Sequence, residues 1–414
     1  IAITGRLAAL FDFENKKVFF PDIHASFKFC ALVFGGAQRQ FDVARCAFYL
    51  HAVSELAAAD VPDDADDTSR LRATRVIELS ADDFRAVNPN TGTAPIFRNA
   101  LDARLTTRIY RTHPVLVRHV FAEVTDPITK ETSLDPDRIA GEQRLYPVRY
   151  LRMFDMTNDS GLFKRRDELE AEGFYPVADG RWKKGDTEML PLYEGKMVQR
   201  YDHRAANVVI NPENLHRPAV TEPATEEQHA DPDWLPQPQF WIAQDDVIAN
   251  EPGLSWSIGF KDVTAPTNAR TMIAAIVPEA GLGNTLPAIL RGADSGCTFA
   301  EKAPALLANL NSLAYDYLAR QKVQGQHLNW FIVEQLPLIA PDAYAQPLGA
   351  ITVSDFVRGE VLRLSYTAHD LGAFARDLGY AGAPFAWDAE DRRHRMARLD
   401  ALYFRLYGLD RDEA

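Results

Sequence analysis

Leu7-Ala8-Ala9-Leu10-Phe11-Asp12-Phe13 and, after a polar interval, Phe27-Lys28-Phe29-Cys30-Ala31-Leu32-Val33-Phe34 are the two segments on which the fold class turns. Both are short continuous apolar runs, bounded by Lys16-Lys17 and Pro21 between them and by Gly35-Gly36 after the second. Such bounded runs predict buried strands. Phe41 to Leu50 reads as a third strand, Val53 to Ala59 as a short helix, and Val76 to Leu79 as another strand. Ser80 then stands where a helix N-cap belongs, with Ala81-Asp82-Asp83 placing acids at the positive end of the helix dipole. The beginning of the chain is therefore α/β.

Working outward, Ala100 to Val120 contains a helical stretch ending near His113-Pro114, Tyr146 to Phe154 is extended, and Tyr193 to Ile210 holds two β-like pieces around a charged turn. Between Arg217 and Lys261 there is no Lys or Arg, eight acids occur and prolines are frequent. That stretch reads as a loop or linker with a short helix around Phe240 to Ala249. Trp256 to Phe260 and Thr271 to Val277 read as a strand pair. Leu306, Leu307, Leu310, Leu313, Tyr317 and Leu318 recur at helical spacing and predict one helix over Glu301 to Lys322, with Asn311, Asp316 and Arg320 off its buried stripe. From about Val353 the chain is helical, with Met396, Leu399, Leu402, Tyr403 and Leu406 on one face. The expected divisions are 1–60, 61–185, 186–345 and 346–414.

The 414 residues suffice for two to four domains at roughly 100 to 200 residues each. Apolar residues make up 46% and charged residues 25%, a globular composition, and the net charge of −13 excludes a uniformly basic wrapper of nucleic acid. The three cysteines, Cys30, Cys46 and Cys297, are odd in number and lack a C-x-x-C pair, so neither a disulfide framework nor a cysteine zinc site is supported. A reducing cytoplasm is the expected location. No apolar run reaches the length of a membrane span, and Ile1-Ala2-Ile3-Thr4-Gly5 has no signal-peptide order. With no initiating Met, the chain reads as a piece of something larger.

Several kinds of chemistry lack their usual carriers. Gly281-Leu282-Gly283 follows an apolar strand but leads into Asn284-Thr285-Leu286-Pro287, a turn instead of a phosphate-binding helix start. Asn88-Pro89-Asn90-Thr91-Gly92 approaches the Asn-Pro-Pro-aromatic loop of amino-methyltransferases but lacks the second Pro and the stacking aromatic, so it reads as an Asn-Pro turn. The acidic stretch Asp60 to Asp67 reads as a solvated loop. No H-x-x-x-H or H-E-x-x-H spacing occurs, and Asp202-His203 has no G-x-S-x-G partner.

Four sets of residues together resemble a known family. Leu10-Phe11-Asp12-Phe13-Glu14-Asn15, with Phe20-Pro21-Asp22 and Phe27-Lys28-Phe29, is similar to the end of the catalytic domain of large adenine-specific DNA methyltransferases of the type IIG restriction-modification and phage-defence kind. Asn88 to Phe97 resembles a linking segment of these proteins. Leu192-Tyr193-Glu194-Gly195-Lys196-Met197, followed by Tyr201-Asp202-His203-Arg204, resembles the opening of their target-recognition domain. Asn311-Ser312, Gln335-Leu336-Pro337, Leu399 to Tyr403 and Leu406 to Leu409 complete the set in the same order. The resemblance implies terminal strands of a methyltransferase-like sheet, then a mixed α/β target-recognition domain and a helical C-terminal region. It also implies that the S-adenosylmethionine loop and the catalytic loop precede this stretch, so the chain by itself carries neither cofactor nor catalytic residues. Double-stranded DNA is the implied partner, with the catalytic part or other defence subunits beside it. A protein-interaction scaffold in a defence complex is the alternative.

DNA recognition needs cations for phosphates and Asn, Gln or Arg for base edges. Lys196, Gln199, Arg200, Tyr201, His203 and Arg204 fall within nine positions, and Gly195 beside them would let backbone approach a DNA strand. Arg320, Gln321 and Lys322 end the predicted helix, with Gln324, Gln326, His327 and Asn329 following. Asn268 and Arg270 precede a strand. Two bland readings stand beside these: a solvated turn for the first group and favourable helix-end cations for the second. Arg392-Arg393-His394-Arg395 with Arg398 is the densest basic cluster, but its interleaved acids read as an exposed helix face. From Leu190 to Ala340, ten basic residues face seventeen acids, and leaving out the cation-free stretch makes it ten against nine, so its acids carry most of the local negative charge.

Overall fold

The computed structural model describes residues 2–57, 61–62, 64–125, 132–210, 220–292, 298–323 and 325–413. The chain is mixed α/β with several small sheets. It divides into two compact units, the first comprising residues 1–145, 331–339 and 407–414 and the second residues 146–330 and 340–406.

In the first unit β1 (Leu7–Glu14), β2 (Lys28–Phe34), β3 (Val43–Leu50) and β4 (Ile77–Ser80) form one sheet in the order β2-β1-β3-β4. β1 runs parallel to β3 and antiparallel to β2. Cys46, Phe48 and Leu50 of β3 and Ile77 and Leu79 of β4 are buried, as apolar strands should be. β2 corrects the expectation of burial: apart from Phe29 its residues are exposed, Leu32 by 46%, Val33 by 55% and Phe34 by 52%. It lies at the sheet edge, and apolar sequence alone does not say how many neighbours a strand will have. The β1–β2 connection is held by buried Asn15, whose amide donates to the carbonyls of Phe20 at 2.8 Å and Ile23 at 3.0 Å. Phe13, Phe19 and Phe29 close over it with ring centroids 5.1–5.2 Å apart.

Ser80 caps the helix Ala81–Val87 as expected: its hydroxyl accepts from the Asp83 N–H at 3.2 Å, and the Asp83 carboxylate accepts from the Ser80 N–H at 2.9 Å. The helix Ala100–Thr112 ends at His113. The acidic stretch falls partly outside the described residues, and Asp66 within it caps an unforeseen helix, Asp67–Ala73, by accepting from the Ser69 N–H at 2.7 Å. Also unforeseen is the long hairpin of Val117–Thr125 with Thr132–Arg144. Asn88 to Gly92 is a turn, as read, and its Asn90 is a packing residue: the side chain donates to the Val117 carbonyl and accepts from the His119 N–H, both at 2.9 Å.

In the second unit Trp256–Phe260 pairs with Ala274–Pro278, Ile258 facing Ile276, and Ala288–Arg291 and Val148–Leu151 complete that sheet. A second sheet centres on Thr187–Tyr193, flanked by Trp182–Lys184 and Trp241–Ala243. Leu192, Met197, Ile242, Val277, Leu282 and Leu286 belong to one core. The cation-free stretch is not the linker it was read to be. Val220–Pro223 pairs with Ala206–Val209, Thr225 caps Glu226–Ala230, and Trp241–Ala243 leads into the helix Gln244–Asn250. Lack of cations reported on charge, while buried Trp241 and Ile242 supplied the apolar surface that orders the segment.

The predicted helix Glu301 to Lys322 is two helices, Thr298–Asn311 and Leu313–Lys322. Ser312 breaks it by turning its hydroxyl onto the Tyr315 N–H at 3.2 Å, which caps a new helix. Asn311, freed from the ladder, bonds both backbone groups of Ala274, accepting from its N–H at 3.0 Å and donating to its carbonyl at 2.8 Å. It replaces a missing strand neighbour. Asn311→Ala leaves the Ala274 N–H unpaired, while its carbonyl keeps the Tyr201 N–H at 3.0 Å, and should lower stability by about 1–3 kcal/mol, measured by urea denaturation, whereas Ala substitution of exposed Arg393 should change it by less than about 0.5 kcal/mol.

Candidate nucleic-acid interface

Asp316 anchors the loop between the strands Trp256–Phe260 and Ala274–Pro278. One carboxylate oxygen accepts from the N–H groups of Thr271 and Met272, both at 2.7 Å, and the other from Arg320 at 3.0 Å. Arg320 continues into the loop, donating to the carbonyls of Pro266 at 3.0 Å and Ala269 at 3.1 Å. On the far side Thr264 N–H donates to the Gln326 carbonyl at 3.0 Å, Leu328 N–H donates to the Asp262 carbonyl at 2.7 Å, and His327 Nδ1 meets the Asp262 carboxylate at 2.7 Å. Asn268, Gln326, His327 and Asn329 are left exposed.

The segment from Lys196 reaches the same neighbourhood through a tight turn. Gln199 and Asp202 exchange backbone hydrogen bonds of 2.8 and 2.9 Å, with Arg200 and Tyr201 at the tip. Tyr201 has φ of +58°, where glycine is usual, and its ring is 2% exposed. Gln199 points to solvent. The Arg200 guanidinium lies 3.9 Å from the Asp400 carboxylate, and that of Arg270 lies 4.0 Å from it. Lys196 is half-buried, pairing with Glu194 at 3.0 Å and lying 3.5 Å from the Gln239 amide oxygen. Gly195 makes its close approach to this chain, not to a ligand: a Cβ there would strike the Thr285 carbonyl.

Tyr201, His203 and Arg204 correct the sequence reading, because all three are interior. His203 is 1% exposed and bonds Asp370 at 2.9 and 3.1 Å. Arg204 has no exposed surface, and its terminal nitrogens donate to the carbonyls of Asp231, Trp234, His229 and Thr367 at 2.8–3.0 Å. Beneath them Asp202 meets His229 at 3.1 Å, His229 stacks on Trp387 at 3.7 Å, and Arg392 lies 3.8 Å over the same ring. Burial opposes the Asp202 charge, yet the His229 bond and the neighbouring cations hold its carboxyl below the usual range. Arg392 likewise departs from the exposed face expected of its cluster, and Arg395 and Arg398 bind Glu360 at 3.1–3.2 Å, while Arg393 and His394 are exposed.

Sequence reasoning offered twelve residues here. Gln199, Asn268 and Asn329 are exposed, Lys196, Arg200, Arg270, Arg320, Gln321 and Lys322 are partly buried, and Tyr201, His203 and Arg204 are inside. Burial pushes the Lys322 ammonium down to about 7, which halves its charge near neutrality and weakens it as a phosphate contact. The sequence offers no signal for Asp316 and Asp400, which organise the cations: nothing local distinguishes these acids from solvated ones. Compared with known proteins, the sequence matches no protein-family model and no curated protein.

Arg204→Met should lower stability by about 3–5 kcal/mol in thermal or urea denaturation, since four carbonyl acceptors lose their donor. The Lys322 shift has its own signature. The unfolded amine, near its ordinary 10.5, binds more protons than the folded one held at about 7, so stability should rise with pH across that interval. Lys322→Met should flatten that rise and be the more stable protein below about pH 7, as urea midpoints at several pH values will measure.

Proposed function

We propose that this chain is the DNA sequence-recognition portion of an S-adenosylmethionine-dependent, adenine-specific DNA methyltransferase acting in restriction-modification or phage defence. In this reading β1 to β3, within residues 1–60, end the methyltransferase sheet, and the catalytic and cofactor loops lie outside the chain. One observation carries it beyond the ordered resemblance: the 262–271 loop is bonded to residues 326–328 and its Arg270 shares the Asp400 carboxylate with Arg200, and on these three segments Gln199, Asn268, Gln326, His327 and Asn329 are exposed. Asn and Gln amides suit the donor and acceptor edge of adenine. The glycines considered for cofactor binding do not fit S-adenosylmethionine, since a Cβ on Gly281 would already collide with Ile242 and Leu192 and one on Gly283 with Met156. The chain alone should not methylate DNA.

Fluorescence anisotropy with a random duplex library tests the reading. Sequence-selective binding that weakens steeply with salt is expected, and Asn268→Ala or Asn329→Ala should reduce affinity for the selected site about tenfold while sparing non-specific binding. No duplex binding at low salt would reject it.

A second reading, a protein-interaction subunit of a defence complex, is favoured by exposed Leu32, Val33 and Phe34 on β2. Apolar association survives added salt where phosphate association does not, so partner retention at low and high salt separates the two.

A further inference from the structure

Arg200 and Arg270 converge on one carboxylate without being satisfied by it. Their separations from Asp400, 3.9 and 4.0 Å, are ion-pair distances too long for hydrogen bonds, and one oxygen of Asp400 already accepts from the Leu313 N–H at 2.8 Å. The Arg270 side chain is only 11% exposed. One of its terminal nitrogens donates to the Asn311 carbonyl, while Nε and Nη1 have no hydrogen-bond partner among the described residues. Asp316, the other nearby acid, is engaged by Thr271, Met272 and Arg320. Two guanidinium groups thus share one carboxylate, leaving an excess positive charge and unused donors in a place that water reaches poorly.

The backbone holds this arrangement against two opposing forces. Tyr201 adopts the left-handed φ of +58°, a conformation that costs a non-glycine residue energy, and this fixes Arg200 at the tip of its turn. Like charges are also drawn together: burial first, and then the Arg200 charge, lower the Arg270 pKa from its ordinary value. Like-charge proximity and the unpartnered donors of Arg270 are what an anion would relieve.

We propose that Arg200 and Arg270 form a binding site for a phosphate group. Guanidinium forks match the tetrahedral oxygens of phosphate, and their hydrogen bonds to it are charge-assisted. The site depends on the nucleic-acid reading only for the source of that phosphate, which is either the backbone of a duplex or a free phosphate.

The test uses the full chain at constant ionic strength. Inorganic phosphate is titrated calorimetrically into the wild type, Arg200→Ala and Arg270→Lys; in parallel, the salt dependence of duplex binding is measured for each. Saturable phosphate binding that weakens at least about tenfold in both variants is expected, because lysine keeps the charge but not the fork. Should Arg270→Lys fail to fold, the partly exposed Arg200→Ala decides alone. A duplex source predicts a slope of log affinity against log salt that falls by about one in Arg200→Ala. Phosphate binding lost in Arg200→Ala, with no duplex binding by the wild type, leaves the site standing and rejects the nucleic-acid reading. Wild type and Arg200→Ala indistinguishable in both arms, including equal phosphate binding that marks an adventitious ion only, overturns the proposal.

Discussion

The Arg204 guanidinium, without exposed surface, donates to backbone carbonyls of His229, Asp231, Trp234 and Thr367. It thereby ties the turn after Tyr201 to two segments distant in sequence, one of them within the stretch that carries no cations of its own. A guanidinium is suited to this because its five donors lie in one rigid plane and it cannot lose its charge to escape burial. The Asp202–His229 pair and the Trp387–Arg392 stack lie against it, so the polar centre of the second unit is a set of interdependent partners. Removing one member leaves the others buried and unpaired, which makes this interior cooperative in a way that apolar packing is not.

Around that centre, side chains repeatedly complete backbone that no strand completes. Asn311 pairs with Ala274, Asp316 with Thr271 and Met272, and, in the first unit, Asn90 with Val117 and His119. Each spares a short sheet or loop the need for another neighbour, consistent with the several small sheets of this fold. In the second unit the same device sets the geometry of the exposed rim. Because Asp316 and Arg320 fix the 266–272 side of the loop and residues 326–328 fix its 262–264 side, Asn268 is presented to solvent on a supported loop, and Arg270, one of the two proposed phosphate contacts, lies two residues further along the same loop.

The first unit poses the opposite problem, a sheet with too little cover. β3 and β4 bury most of their apolar side chains, while β2, equally apolar, has only β1 beside it among the described residues. Asn15 and the phenylalanines at the β1–β2 connection stiffen that hairpin locally. They do not cover its outer half, and this is the observation behind the interaction reading.

The sequence by itself determined the local elements with strong signals. The first three strands follow from bounded apolar runs, the Ser80 cap from an oxygen placed before acids, and the Trp256–Phe260 strand from apolar continuity. These depend on neighbours a few residues away. It also brought the eventual rim residues forward, since Gln199, Asn268 and Asn329 are polar groups in loops. Only the tertiary structure decided which nearby polar residues face inward. Tyr201, His203 and Arg204 are indistinguishable by type from surface recognition residues, yet the burial of His203 and Arg204 follows from carbonyls and a carboxylate supplied by residues 229–234 and 367–370, and Tyr201 lies beside Asn311 and Asp400. The ordering of the cation-free stretch has the same origin, whereas the helix break at Ser312 is a local cap, its hydroxyl accepting from the Tyr315 N–H three residues on. For the buried polar residues and the cation-free stretch the deciding partner lies tens of residues away or more, and no periodicity within a segment records what a distant segment will offer it.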